Sequence, residues 1–327
     1  MGARRRATTV AAIGLAVIVL GSGAGLTLAQ LTASATVGSN AFTAAASFDT
    51  VAPIVSATVI AKAGQYFAGF AKQAGTYYVY ANASDGGAVP SGIATIKADV
   101  SAITTGSTAV SLVAGSYTVQ GVAYGYRTAL LTASTPLTGS KAYTLTSTDN
   151  NTNSRLQTGF AVTVENVVPT ATDIQTANGG ATVGRIELGD RITYTFSEII
   201  DPESILANWT GASTSVVVRF TNVASTDTYA VYDGTNTTLL KLGTVNTKGN
   251  YVTAATTAGV GATPSTMVLD TVTNKITITL GTIAGTVATD AANRTAAWTP
   301  VATAFDRAGN AMSATLVNEI APADPDF

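Results

Sequence analysis

The stretch Phe160–Ala171, FAVTVENVVPTA, decides how this chain is organised. Its first half alternates apolar and polar residues, as a half-buried strand does, and its proline then ends that pattern. The order acid, any residue, Val, any residue, Pro stands here at Glu165–Pro169 and also earlier, at Asp49–Pro53. Because the same junction opens two strand-rich stretches, the sequence predicts two domains in series.

We place the predicted boundaries at these junctions and at the end of the apolar N-terminal run. The prediction is a signal peptide at 1–29, a flexible or strand-forming segment at 30–50, one β-rich domain at 51–168, a second at 169–320 and a C-terminal tail at 321–327. The total of 327 residues suits this division, since domains commonly span about 100–200 residues.

Composition favours an all-β fold. Hydrophobic residues make up 46% of the chain and charged residues only 11%, and the abundant Thr and Val fit the pleated, half-buried surface of a sheet. The formal net charge of −2 offers no basic surface that could neutralise phosphates, so we predict no nucleic-acid partner.

The chain contains no cysteine and no histidine. This excludes a Ser-His-Asp triad, a cysteine nucleophile, disulfides and ordinary zinc, copper or haem ligation. Carboxylate chemistry and oxygen-ligated Ca²⁺ or Mg²⁺ remain. We therefore predict that the chain is not an enzyme and that it has no cofactor apart from a structural Ca²⁺ to be considered. An exported protein without disulfides is common among bacterial surface proteins, so we expect a bacterial source.

The N-terminus has the layout of a secretory signal. Three arginines, Arg4, Arg5 and Arg6, precede the apolar run Val10–Leu20, and small residues follow. Cleavage after Ala29 fits this layout, with a second candidate after Ala35. The alternative is an uncleaved anchor, because the apolar character persists over about the 20 residues that span a bilayer. We expect a secreted or cell-surface protein that meets the membrane only through this segment, if it is uncleaved.

The residues after the apolar run resemble the export segment and first strand of bacterial matrix-fibre proteins of the TasA and camelysin type. Asn40–Ala44 and the pair Phe48-Asp49 carry the resemblance. Gln30 and Leu31 depart from it, because an aromatic residue usually follows the cleavage site. The resemblance implies a fibre subunit in which residues 30–48 complete a neighbouring sheet as a donated strand.

Short alternating segments separated by turn residues predict the first sandwich. We predict strands at Ile54–Lys62, Thr76–Ala83, Ala94–Val100, Ala109–Ala114, Gly115–Tyr126 with its turn, Ala129–Ala133, Lys141–Asp149 and Gln157–Glu165. This number of short strands in residues 51–168 is typical of an immunoglobulin-like β-sandwich.

The second half repeats this logic with longer loops. We predict strands at Arg191–Ser197, Ser215–Phe220, Thr228–Tyr232, Lys275–Leu280 and Ala302–Phe305, and one helical turn at Asp201–Leu206, where an acid cap precedes a proline. This half resembles bacterial immunoglobulin-like domains found in tandem in surface and surface-layer proteins. The residues that carry the resemblance are Gly189, Asp190, Ile192, Phe196, Ser197, Glu198, Ile200, Asp201 and Pro202, with the closing run Asp306–Asn310.

Two loops place Asp four residues before Asn, at Asp149–Asn153 and Asp306–Asn310. Such a loop is typical of a hairpin turn in which the Asp side chain accepts from backbone N–H groups. The alternative is Ca²⁺ held by the loop and a junction acid. The candidate ligands are Asp49, Asp149, Asn151, Asn153, Glu165, Asp306 and Asn310. Asp149 also begins an EF-hand-like spacing, which fails because Phe160 stands where the bidentate Glu belongs.

Two further sequence patterns are better explained by a structural role than by catalysis or ligand binding. The acids Glu198, Asp201 and Glu203 could suggest a glycosidase pair, but Asp201 is already explained as a helix cap. Tyrosines alternate in Tyr77–Tyr80 and recur at Tyr124–Arg127, which is typical of a half-buried sandwich face.

We predict a non-catalytic secreted or cell-surface structural or adhesive protein. The alternatives are a self-assembling extracellular fibre subunit and a carbohydrate-binding accessory module, which would show an exposed planar row of Tyr or Trp. The expected partners are cell-surface or matrix components, or other copies of the chain itself.

Overall fold

The computed structural model describes residues 48–224, 226–320, 323 and 325–327. The predicted signal peptide and residues 30–47 lie outside the described residues. Among the residues that are described, no helix is long and apolar enough to cross a membrane. These residues form two β-sheets and one short helix, which confirms the predicted all-β fold of two sandwiches in tandem.

Nine strands form the first sheet. They are β1 (Ile54–Ala61), β2 (Phe70–Lys72), β3 (Thr76–Ser84), β4 (Ile93–Asp99), β5 (Val110–Val119), β6 (Val122–Thr128), β7 (Leu131–Thr132), β8 (Gly139–Asp149) and β9 (Ser154–Glu165). The hydrogen-bonded order is β1-β3-β6-β5-β4-β8-β9-β2, with β7 beside β3.

Strand β5 connects the two layers of this first sandwich. Its first residues, Val110 and Ser111, pair with β4, and from Leu112 onward it pairs with β6. The space between the layers holds the apolar side of each strand, including Val79, Ile96 and Leu145. The alternation of apolar and polar residues in the sequence therefore corresponds to the alternation of core and surface positions along each strand.

The predicted strand boundary between Ala114 and Gly115 is wrong, because β5 runs through it to Val119. The turn that is predicted within Gly115–Tyr126 lies at Gln120 and Gly121, which both have positive φ angles. Gly115 sits at an irregularity in the pairing with β6. A β-carbon there would lie 2.5 Å from the hydroxyl oxygen of Tyr117, so this glycine makes room for a ring and does not end the strand.

The second sheet contains eleven strands. They are β10 (Ala171–Ala177), β11 (Arg191–Phe196), β12 (Thr214–Thr221), β13 (Thr228–Asp233), β14 (Leu239–Asn246), β15 (Thr256–Ala258), β16 (Ser265–Asp270), β17 (Lys275–Thr279), β18 (Ile283–Ala284), β19 (Ala297–Thr299) and β20 (Val317–Asn318). Their order is β10-β11-β17-β16-β12-β13-β14-β19-β20, with β15 between β12 and β18.

Aromatic rings fill the core of the second sandwich. Trp298 is fully buried, stands edge-on to the rings of Tyr194 and Phe196, and donates its indole N–H to the carbonyl of Leu242 at 2.6 Å. Phe327 is also fully buried in this core. The end of the predicted tail therefore packs against the second sandwich.

The predicted helical turn is present as α1 (Pro202–Ile205), and Asp201 caps it by accepting the N–H of Glu203. The predicted strand at Ala302–Phe305 is wrong, because only Phe305 forms a bridge. The backbone of Phe305 is engaged by the capped turn: its N–H donates to the Ser204 hydroxyl, and its carbonyl accepts the N–H of Asp201. The N–H and carbonyl of Phe305 are therefore not free to form the hydrogen bonds of a strand ladder.

Candidate functional site

Three aspartates meet at one end of the first sandwich. Asp49 precedes β1, Asp85 follows β3 and Asp149 ends β8, and one carboxylate oxygen from each lies within 4.8 Å of the others. Asp49 and Asp149 are buried, and Asp85 is half-buried. We call this group the first carboxylate cluster.

Backbone N–H groups hold the first carboxylate cluster in place. Asp49 accepts from Val51 at 3.0 Å with one oxygen and from Ser91 at 2.8 Å with the other, and these bonds lower the pKa of Asp49. Asp85 Oδ2 accepts from Gly92 at 2.7 Å. Its Oδ1 is buried and has no hydrogen-bond donor among the described residues, so an oxygen remains available to a ligand.

The second carboxylate cluster has the same construction at the start of the second sandwich. Glu165 ends β9, Glu198 follows β11 and Asp306 lies in the closing loop, again with one oxygen each within 4.8 Å. Glu165 Oε2 accepts from Val167 two residues later, as Asp49 does from Val51. The Oε1 atoms of both glutamates are buried without a donor among the described residues.

The two Asp-to-Asn loops share one hydrogen-bond pattern. Asp149 Oδ1 accepts from the N–H groups two and four residues later, and its Oδ2 accepts from the Asn153 side chain at 2.7 Å. Asp306 Oδ1 accepts from the equivalent N–H groups and its Oδ2 from the Asn310 side chain at 2.9 Å. The residue three positions after the Asp has positive φ in both loops, Thr152 in one and Gly309 in the other. The aspartates thus shape the turns while presenting their carboxylates to the clusters.

The structure brings together four of the seven candidate ligands as two pairs, Asp49 with Asp149 and Glu165 with Asp306. Asn153 and Asn310 face these aspartates through their amide nitrogens, which cannot ligate a cation. The Oδ1 atom of Asn310 is buried without a donor in the described part of the chain. Asn151 is exposed and donates its backbone N–H to Asp149.

Sequence reasoning missed the third acid of each cluster. Asp85 is not among the predicted ligands, and the sequence suggests Glu198 only as part of a glycosidase pair. A signal was present, because Ser84-Asp85 and Ser197-Glu198 both follow the strand that pairs with the first strand of their sandwich. That correspondence becomes visible only when the strand pairing is known.

Like charge and burial act strongly on the second carboxylate cluster. Burial, followed by the charges of Asp306 and Glu165, raises the pKa of Glu198 to about 7, and burial together with Asp306 raises the pKa of Glu165. A carboxyl whose folded pKa is raised favours the folded state below its unfolded pKa, and this contribution is lost as the pH rises through about 7. At higher pH the ionised cluster needs a counter-charge.

Cations of the chain approach the same cluster. The ammonium of Lys62 donates to the carbonyl of Arg307 at 3.2 Å, and burial lowers the pKa of Lys62 to about 8 although Asp306 and Asp201 oppose the shift. The Arg307 guanidinium lies 4.1 Å from the ring centroid of Phe70 and lowers the pKa of Glu198 and Glu165 in part. The second cluster is therefore partly neutralised by side chains.

One of the contacts between the two sandwiches is made by a buried carboxylate. Asp201 is fully buried, and its two oxygens accept the backbone N–H groups of Tyr66 at 3.1 Å and Phe67 at 3.0 Å, in the loop between β1 and β2. The ring of Phe67 packs against the core of the second sandwich. We call Asp201, Tyr66 and Phe67 the junction clamp. Because both Asp201 oxygens are committed to N–H groups, this residue is a structural acceptor and not a glycosidase acid.

The tyrosines of β3 lie on both faces of the strand, because successive side chains of a strand point to opposite sides. Tyr77 is fully buried in the core of the first sandwich. Tyr78 and Tyr80 lie on the other side, where Arg127 stacks on the ring of Tyr78 at 4.1 Å and on the ring of Tyr117 at 4.3 Å. The rings of Tyr80 and Tyr117 meet edge to face, so this group is not the planar row that a flat carbohydrate platform would show.

Comparison with known proteins finds no similarity that is strong enough to indicate a function. No family model matches the chain, and no curated protein matches it. The C-terminal domain of the Streptococcus pyogenes antigen I/II-family protein AspA matches at 10% identity over 83% of this chain and 99% of that chain, with a TM-score of 0.23. The C-terminal domain of the Streptococcus agalactiae AgI/II polypeptide BspA matches at 11% identity over 80% and 97%, with a TM-score of 0.19. Likeness at this level supports no argument, so function has to be inferred from this chain's own geometry.

Removing the junction clamp should uncouple the two sandwiches. In Asp201→Ala, the N–H groups of Tyr66 and Phe67 lose a charged acceptor and α1 loses its cap, at a cost of about 2–4 kcal/mol. Differential scanning calorimetry should show one transition for the wild type and two for this variant.

Asp233→Ala is the matched control, because Asp233 also accepts two backbone N–H groups, from Thr237 and Thr238, within one turn. It should keep a single transition. Two transitions in the wild type, or one in Asp201→Ala at an unchanged temperature, would contradict the role of the clamp.

Proposed function

We propose that this chain is a non-catalytic secreted or cell-surface protein with a structural and adhesive role, built from two immunoglobulin-like sandwiches that act as one unit. The observation that carries the proposal is the junction clamp, since hydrogen bonds to a buried charged acceptor are among the stronger ones in proteins. Residues Ser47–Phe327 form one compact unit, which is what a protein that transmits force or spaces a ligand from a surface requires.

The chemistry of the chain agrees with this role. Without cysteine or histidine, catalysis would depend on carboxylates with perturbed pKa values. Buried acids such as Asp149, Asp201 and Asp306 accept backbone N–H groups in turns and caps. A structural use of these acids explains their positions without a substrate.

We further propose that each carboxylate cluster binds Ca²⁺. Hard oxygen donors converge from three chain segments in each cluster, which suits this ion. Buried oxygens without a donor among the described residues, on Asp85 in the first cluster and on Glu165 and Glu198 in the second, supply sites for it. Bound Ca²⁺ would tie the junction acid, the strand end and the closing loop of each sandwich together.

The fibre-subunit alternative depends on residues 30–48 as a donated strand. All but the last of them lie outside the described residues. That alternative stays a prediction, and the surface role is the function we propose.

Surface exposure can be measured by protease treatment of intact cells that produce the full chain with a C-terminal epitope tag. Added trypsin should remove most of the cell-associated protein, because a surface protein is accessible from outside. A cytoplasmic protein of the same cells serves as the control and should stay intact. Complete protection of the tagged chain in intact cells, with cleavage after lysis, would contradict a surface location.

Calcium binding predicts a higher melting temperature. At about pH 8, saturating Ca²⁺ should raise the melting temperature of the full chain by about 5 °C or more relative to chelator. Asp85→Asn and Glu198→Gln should each remove part of this shift, because each deletes one carboxylate from a different cluster. Asp270→Asn changes an exposed turn acid outside both clusters and should leave the shift unchanged. Equal melting temperatures in Ca²⁺ and in chelator would contradict the proposal.

A further inference from the structure

A cavity of about 460 Å³ opens where the first sandwich meets the loops of the second. Its walls include Tyr66, Tyr80 and Tyr117 from the first sandwich, and Glu203 and Asn208 from the second. Its volume falls within the range of about 300–1,000 Å³ that is usual for small-molecule sites. The junction clamp lies beside the cavity, because Tyr66 and Glu203 both donate their backbone N–H groups to Asp201.

Two side-chain atoms, each buried and each from a residue that lines the cavity, have no hydrogen-bond partner in the described part of the chain. They are Nε of Arg127, which is a donor, and Oε1 of Gln65, which is an acceptor. A buried polar atom left unpaired costs about 1–3 kcal/mol, so such atoms ordinarily bind water or a ligand. A ligand that offers both an acceptor and a donor matches this pair of groups.

The side chain of Arg127 is held in a fixed orientation by neighbouring tyrosine rings. Its guanidinium is stacked between the rings of Tyr78 and Tyr117, at 4.1 Å and 4.3 Å from their centroids. Stacking of this kind orients the planar group and restricts its rotamers. A ligand therefore meets a donor that is already oriented, which lowers the ordering cost of binding.

The wall chemistry identifies the class of ligand. Tyrosine rings offer apolar faces and hydroxyl groups, while Arg127, Gln65, Glu203 and Asn208 offer donors and acceptors of both kinds. A fatty or aromatic ligand would leave these polar groups unpaired. A highly charged ligand of either sign would meet a like charge, because the wall carries the cations Lys62 and Arg127 as well as the acid Glu203. A compact ligand with apolar ring faces and many hydroxyl groups satisfies all of them.

We infer that this cavity binds a short saccharide of one or two sugar rings. The inference rests on the adhesive role proposed above and supplies its ligand class. Binding in a pocket also differs from the flat aromatic row that the sequence would require of a carbohydrate-binding module.

Saturation-transfer NMR on the full chain tests the inference with cellobiose, lactose and N,N′-diacetylchitobiose as probes. At least one probe should receive saturation from the wild type. Tyr117→Ala should weaken that binding by about tenfold, because it removes one ring wall and one face of the Arg127 stack. Tyr117→Phe keeps the ring and should stay within about threefold of the wild type.

Tyr232→Ala is the matched control, because Tyr232 also stacks on an arginine, Arg219, at 3.7 Å in the second sandwich and does not line the cavity. It should bind as the wild type does. Absence of transfer to all three probes, or transfer that persists in Tyr117→Ala, would overturn the inference. Protease accessibility on intact cells is independent of this result, so the surface role and the saccharide site can fail separately.

Discussion

The carboxylate of Asp201 is the interaction on which the rest of the arrangement depends. It caps α1 within the second sandwich and accepts two backbone N–H groups from the first. Burial raises the pKa of Asp201, and its N–H donors and Lys62 oppose the shift. A buried carboxylate in this position is tolerable only while its donors are present, so the loop between β1 and β2 and the start of α1 have to stay together.

Acids take over in this chain the tasks that disulfides and metal-binding cysteines or histidines perform in many other proteins. Asp149 and Asp306 close loops by accepting several N–H groups each. Asp49 and Glu165 fix the chain where each sandwich begins. The same residues also place carboxylate oxygens in the two clusters, so turn formation does not compete with the cation binding that we propose.

The sequence predicted the fold class well because strand alternation and turn residues are local signals. The junction order of acid, Val and Pro also indicated that Asp49 and Glu165 lie near the closing loops. Strand β5 was divided wrongly, since a glycine beside a ring and a glycine in a turn look alike in sequence. Asp85 and Glu198 could not be assigned, because their place in the clusters follows from strand pairing. The cavity was equally hidden, as its walls come from segments that are far apart in the chain.

The distance between the two sandwiches tests the central claim most directly. The chain has no cysteine, so Val122→Cys and Val272→Cys, both at exposed positions, would carry spin labels at two sites only. Double electron–electron resonance should give one narrow distance distribution that broadens when Asp201→Ala is added. A broad or multiple distribution without that substitution would contradict the account, because the two sandwiches would then move independently.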